Sequence, residues 1–239
     1  MNKTIKTIIA VLAVSSSITF CQAQSSANSN TTNKFFTEWG YSPFLGFEKS
    51  PVVTYTYVQT QANYNSVTGN TTYSNVNVSN TANFDEYDYW TFIFRARYNL
   101  TEFNNNASLS ISVLPAIGIG GPLVDNGVTG ALSLNIPLIV DYNIGNVATY
   151  TSDQDKGFVI GVGIEYTKAP LIGGSVTVEN NYGGPTSVAI STGWVEPVLE
   201  LGYRYWNKRN KAKEFNLKLG YGSNGAFTAR LSWLKCIGY

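Results

Sequence analysis

The sequence predicts an all-β fold, a closed antiparallel barrel whose strands run up and down in chain order. Three observations point there. Apolar residues recur with period two over long stretches, turn residues separate those stretches, and no stretch shows a capped 3.6-residue period, so helix content should be small. The 239-residue chain is aromatic-rich (14%) and charge-poor (13%), with a mean hydropathy of −0.07. That balance excludes a disordered chain and a bundle of membrane helices.

The first 23 residues read as an export signal. Lys3 and Lys6 form a positive start, Thr7 to Phe20 a short apolar core, and Cys21-Gln22-Ala23 puts small residues at −3 and −1 of a cleavage site after Ala23. The core is too short to span a bilayer as a helix. Cleavage takes Lys3 and Lys6 with it, so the 16 basic residues fall to 14 against 15 acidic ones, a mature charge of −1. It also leaves Cys236 as the single thiol, so no internal disulfide can form and stability must come from the fold.

Residues 24–50 read as an irregular leader. Gln24 to Asn33 is a Ser/Asn/Thr tract, and Phe35 to Glu48 is aromatic but interrupted by Pro43 and Gly46. The barrel itself is expected over 51–239. Val52 to Ala62 is a weak first strand. In Tyr89 to Leu100, Trp90, Phe92, Phe94, Ala96, Tyr98 and Leu100 share one face, opposed by Thr91, Ile93, Arg95, Arg97 and Asn99. Ala107 to Ile119 is a second weak strand. Leu132 to Tyr142 sets Leu134, Ile136, Leu138, Val140 and Tyr142 against Ser133, Asn135 and Asp141. Phe158 to Tyr166 sets its apolar face against Gly161, Gly163 and Glu165. Leu199, Leu201, Tyr203 and Tyr205 oppose Glu196, Glu200, Gly202 and Arg204. Phe215 to Tyr221 is backed by Asn216 and Lys218. Phe227 to Trp233 is backed by Thr228, Arg230 and Ser232. That makes eight strands; a further hairpin around Gly174 to Ser191 or Asn70 to Asn80 would make ten.

Which face points inward decides the function class. In a soluble sandwich or lipocalin-like binding barrel, Phe92, Phe94, Leu134, Leu138 and Leu201 would be core. In a transmembrane barrel they would face lipid and the polar faces would line the interior. Strands of about 10 to 12 residues match a tilted membrane strand rather than the shorter soluble mode. Aromatics gather near strand ends, where Trp90, Tyr98, Tyr142, Tyr166, Tyr203, Tyr205, Tyr221 and Trp233 would form interfacial girdles around lipid-facing Phe92 and Phe94. The Gly-rich polar faces suit a narrow interior better than a solvated surface. These features favour the inverted arrangement.

The last strand, Ala226 to Tyr239, is amphipathic and ends on an aromatic residue. In this it resembles the small bacterial outer-membrane β-barrel proteins, the group that includes the OmpA barrel domain and OmpX-like and OmpW-like proteins. The resemblance covers Pro51 to Tyr239 as a pattern. It implies outer-membrane lipid as the surroundings, the barrel-assembly machinery as a partner, and Tyr239 as the assembly signal. Lys235 falls on the outward phase and must sit at a membrane edge to snorkel. An even strand number then places both termini and the turns Thr101–Asn106, Asn143–Lys156 and Asn207–Glu214 in the periplasm. The connections Asn63–Asp88, Gly120–Gly130, Lys168–Ser187 and Ser223–Gly225 face outward.

With polar faces inward, the interior holds Arg95, Arg97, Arg204, Lys218 and Arg230 against Asp141, Glu165, Glu196 and Glu200, a near balance. Buried charges must be paired, so a salt-bridged plug is the expected state. A narrow path for ions or small solutes and a site for an anionic group are the alternatives. Catalysis is not expected. The chain has no His, which removes the usual general base and the nucleophile–His pairings. Glu196 and Glu200 stand roughly 13 Å apart along a strand, too far to assume a glycosidase pair. The Gly-rich stretches at Gly118 and Gly161 lack a following helix and a Gly-Lys-Ser/Thr, and no metal cluster or cofactor motif is visible. Near-zero net charge gives nothing for nucleic acid to bind. The Asn/Ser/Thr/Tyr-rich loop from Asn63 to Asp88 offers adaptable contact chemistry for an unidentified surface ligand.

Overall fold

The computed structural model describes residues 34–83, 85–122, 128–129, 132–172, 174–178, 185–207 and 211–237. The export signal and Tyr239 lie outside the described residues.

Eight staves close into a ring. They are β1 (Phe35–Lys49), β4 (Asp85–Asn104), β5 with β6 (Ala107–Val113 and Ala116–Pro122), β8 (Leu132–Gly145), β9 (Lys156–Ala169), β12 (Thr192–Trp206), β13 (Ala212–Tyr221) and β14 (Phe227–Ile237). Each is antiparallel to the next, and β1 pairs with both β4 and β14, which closes the sheet. Strands β5 and β6 form one stave: Pro115 interrupts the ladder, but β4 and β8 pair with both halves. The only helix among the described residues is a 3-10 turn, Ser223–Gly225.

Two expectations are corrected here. The segment 24–50 is not irregular throughout, because Phe35–Lys49 is the first barrel strand. Its alternation is hidden by a register shift between Tyr41 and Gly46, where Pro43 lacks a donor and the strand bulges. Val52 to Ala62, expected as a barrel strand, instead belongs to a separate ribbon, β2 (Val53–Asn65) paired with β3 (Asn70–Ala82). The barrel therefore starts near Phe35, not Pro51. The hairpins considered for a ten-stranded barrel do form, but outside the ring: β2–β3, and β10 (Ser175–Val178) with β11 (Thr186–Ala189), which is joined by the short β7 (Val128–Thr129).

The barrel has two unlike ends. The N-terminal start of β1, the end of β14 and the turns after β4, β8 and β12 lie at one, the terminal end. The ribbon, the three-stranded sheet and the turn after β13 lie at the other, the loop end.

The wall is turned inside out relative to a soluble fold. Phe92 is 48% exposed, Leu138 42% and Leu201 42%, while Arg95, Arg97 and Arg204 are fully buried. The set that would be core in a sandwich is on the outside. Of the expected girdle residues, Trp90, Tyr98, Tyr142, Tyr166 and Tyr221 are exposed and Phe94, Tyr203, Tyr205 and Trp233 partly so. Rings link along the terminal end from Phe158 through Tyr203, Tyr205 and Phe215 to Trp233. Nearer the loop end, Tyr41 stacks on Trp90 with centroids 5.1 Å apart. Lys235 lies with its Nζ 5.6 Å from the Trp39 ring centroid, a cation–π contact on the outer wall.

Candidate functional site

The alternation of each stave turns its polar set inward, where the side chains meet in two layers. The layer nearer the terminal end is built on Arg95. Its Nη1 lies 3.0 Å from Glu38 and 2.7 Å from Glu214, and its Nη2 contacts Glu200. Arg204 donates from Nε to Glu214 at 2.6 Å and lies 3.4 Å from Glu38. Asn143 Oδ1 accepts from Arg97 at 2.8 Å and from Arg204 at 2.9 Å, and Asn216 donates to Glu200 at 2.6 Å. Asp141 accepts from the Ser112 hydroxyl at 2.5 Å. Small residues make the room: a Cβ on Gly202 would sit 2.8 Å from Glu214 Oε1.

The layer nearer the loop end is built on Arg230. Its Nη2 lies 2.6 Å from Glu48, 2.9 Å from Asp88 and 2.7 Å from Asn135 Oδ1. Beside it Lys218 pairs with Glu165, and the Thr228 hydroxyl donates to Glu196.

Between the layers the interior turns apolar. Ile93, Ala116 and Leu234 form one buried cluster, and Leu114, Ile139 and Val198 another. Val198 sits between Glu196 and Glu200 on β12, so those two carboxylates belong to different layers and cannot work as a pair. A cavity remains beside this waist, lined by Ile93, Leu114, Ala116 and Leu234 and by Asn216, Lys218 and Arg230. Its volume of about 10 Å³ is room for one water at most.

The turn after β8 closes the terminal end. Val147 and Ala148 are buried in the barrel mouth, and Val147 packs with Phe36, Ala212, Cys236 and Trp206. The Val147 carbonyl accepts from Arg97 at 2.5 Å, and the Ala148 carbonyl accepts from Asn99 and Ser108. Val147 holds φ at +60°, a conformation costly for a β-branched residue, and these carbonyl contacts hold it there. Further out on the same turn, the Asn106 amide beside Asp153, with Gln154, holds the Asp153 carboxyl below the usual carboxylate range.

All nine interior residues expected from the sequence are buried: Arg95, Arg97, Asp141, Glu165, Glu196, Glu200, Arg204, Lys218 and Arg230. The near balance of charge is corrected. Glu38, Glu48, Glu86, Asp88 and Glu214 are buried as well, giving nine acids against five bases among the described residues. Glu38 and Glu48 lie on the stave hidden by the Pro43 bulge, and Glu86, Asp88 and Glu214 fall in segments read as loop or turn. Their signal is local: Trp39 and Tyr41 alternate with Glu38, Gly40 and Ser42. Neutral donors hold part of the excess, with Thr91 donating to Asp88 at 2.9 Å. Among the described residues no group of His, Cys, Asp or Glu is arranged to hold a metal.

No family model and no curated protein matches the chain. Solved structures do. Ail, the attachment invasion locus protein of Yersinia pestis, in complex with the heparin analogue sucrose octasulfate, is 10% identical with a TM-score of 0.42. The alignment covers 86% of this chain and 99% of that one. Ail alone scores 0.41 at the same 10% identity and coverage. The N-terminal β-barrel domain of OprF from Pseudomonas aeruginosa is 12% identical at 0.37, covering 87% of this chain and 100% of that one. The sugar sulfate is a ligand of that Ail complex. The architecture of this chain rests on its own strand pairing rather than on these likenesses.

Proposed function

We propose that this chain is an exported, non-enzymatic protein of the bacterial outer membrane, a lipid-embedded barrel closed to solutes that acts in envelope structure and surface contact. The observation that carries the reading is the inversion of the wall: charged groups fully buried inside, large apolar groups exposed outside. In water, that exterior would leave a belt of Phe, Leu, Ile and Tyr unpaid for, whereas lipid accepts it. A closed ring also leaves no stave with an unpaired edge in hydrocarbon.

Under this reading residues 1–23 are removed after Ala23, Tyr239 serves the barrel-assembly machinery, the terminal end faces the periplasm and the loop end faces outward. The alternative of a narrow pore is disfavoured by three obstacles in series: the Val147 turn, the ion-paired layers and the apolar waist. The absence of His from the sequence supports the non-enzymatic part.

The test is gel mobility of the membrane-extracted mature protein with and without boiling in SDS. A heat-dependent shift from the membrane fraction is the expected result. Recovery in the aqueous fraction with no shift would sink the proposal.

A further inference from the structure

The ribbon β2–β3 stands apart from the barrel and has an unusual composition. Between Lys49 and Asp85 the sequence contains no Asp, Glu, Lys or Arg. Its strands pair without a register shift over 13 residues each, from Val53↔Ala82 to Asn65↔Asn70. The turn is built for this: Asn65 Oδ1 accepts from the Val67 and Thr68 amides, and Gly69 takes φ +69°. Side-chain bonds Thr56–Ser79, Thr60–Asn75 and Asn63–Ser74 brace the ribbon without a core.

Its base is anchored. Tyr55, Tyr57 and Ala82 pack on Val176 and Val178 of the loop-end sheet and on Ile190 just after it. Toward the tip Tyr64 is 68% exposed and Val67 92%. β3 is exposed at all but two of its 13 positions, and among the described residues its outer edge pairs with no other strand.

Exposed edges are ordinarily blunted by Lys, Pro, a bulge or an inward charge. β3 has none of these. We infer that the outer edge of β3 pairs with the same edge of a second copy of this chain on an opposing membrane, joining two surfaces through a four-stranded sheet.

Self-recognition follows from charge and geometry. A charged partner strand would lose hydration against an edge that offers no counter-charge, whereas two uncharged edges meet without like-charge repulsion. Antiparallel pairing about a two-fold axis at Val76 overlaps the whole strand, setting Val76 against Val76, Asn75 against Asn77 and Thr71 against Thr81. In that arrangement the two barrels lie at opposite ends of the sheet, as on facing membranes. In one membrane the geometry fails. Adjacent ribbons need axes roughly 10 Å apart, but an eight-stranded barrel is on the order of 16 Å across its backbone alone.

The inference rests on the outer-membrane reading, and the test separates the two. The full mature chain is reconstituted in phosphatidylethanolamine/phosphatidylglycerol vesicles, insertion is scored by the heat-dependent gel shift, and tethering by light scattering. Failure to insert would count against the membrane reading. Given insertion, wild-type vesicles should tether. Vesicles carrying Val76→Lys alone or Val76→Glu alone should lose tethering, and mixing the two populations should restore it. All three should show the same gel shift, because Val76 lies outside the barrel. Wild-type vesicles that stay dispersed, Val76→Lys vesicles that tether like wild type, or a mixture that stays dispersed would each overturn the inference. Tethering that needs an added foreign protein would also overturn it, assigning the edge to a different strand.

Discussion

Glu38 and Arg95 are register partners between β1 and β4, and the Arg95 guanidinium reaches the Glu38 carboxylate at 3.0 Å inside the barrel. The pair ties the first stave, which the sequence pattern hides, to the stave it shows most clearly. Arg95 also serves Glu200 and Glu214, so one cation holds carboxylates from β1, β12 and β13.

Replacing Arg95 with Met should therefore be among the most damaging interior changes. Three buried carboxylates would lose their shared partner, and breaking a buried pair costs about 3–5 kcal/mol. The urea midpoint of the refolded barrel in detergent should fall accordingly. Glu200→Gln, which keeps an acceptor for Asn216, should cost clearly less. An Arg95→Met midpoint matching wild type would refute the placement of this network.

The outer wall predicts a depth dependence. Leu138 lies mid-stave on β8 with its side chain outward, and Tyr221 is the last residue of β13. If the wall faces lipid, Leu138→Arg should destabilise the inserted barrel by about 2–4 kcal/mol and Tyr221→Arg by about 0–1 kcal/mol. Equilibrium unfolding from vesicles measures both. Equal effects at the two depths would argue against a bilayer around the barrel.

Gly40 marks the seam where β1 meets β14. A Cβ there would fall on the backbone carbonyl of Trp233, which cannot swing aside as a side-chain tip can. Gly40→Ala should cost about 1–3 kcal/mol by overpacking. Because this pairing closes the ring, the fraction of refolded protein showing the heat-dependent gel shift should drop. Gly225, whose added Cβ meets no atom nearby, takes φ +79°, so Gly225→Asn, which tolerates that conformation, is the matched control with little expected effect.

Much of this was legible in the residues, and the failures have physical causes. Arg95 and Arg97 stand out because Phe94 to Leu100 alternates without interruption. Glu38 and Glu48 do not, because Pro43 forces a bulge that shifts the phase between Tyr41 and Gly46. Glu214 is masked by its neighbours Lys211 and Lys213, which read as a turn. Ile93 and Leu234 look like exceptions to a polar face until the closed ring brings them together as a waist. The Val147 turn is invisible to any local pattern, since its partners Arg97, Asn99 and Ser108 are about 40 to 50 residues away in sequence.

Those hidden parts bear on whether the barrel conducts. An ion entering from the terminal end meets the Val147 and Ala148 carbonyls, already engaged by Arg97, Asn99 and Ser108. Beyond them lies the Arg95 layer, then Ile93, Leu114 and Leu234, with space for one water beside them. The obstacles act in series, so removing one leaves the others in place. Wild-type protein in a planar bilayer should show no steady conductance, and a chain with the 147–151 turn shortened should be equally silent. Adding Ile93→Ser and Leu234→Ser to the shortened turn would hydrate the waist, and with nine buried acids against five bases among the described residues any current that results should favour cations. Steady conductance from the wild-type chain would show that the layers open in the membrane, and would replace the closed barrel with a pore.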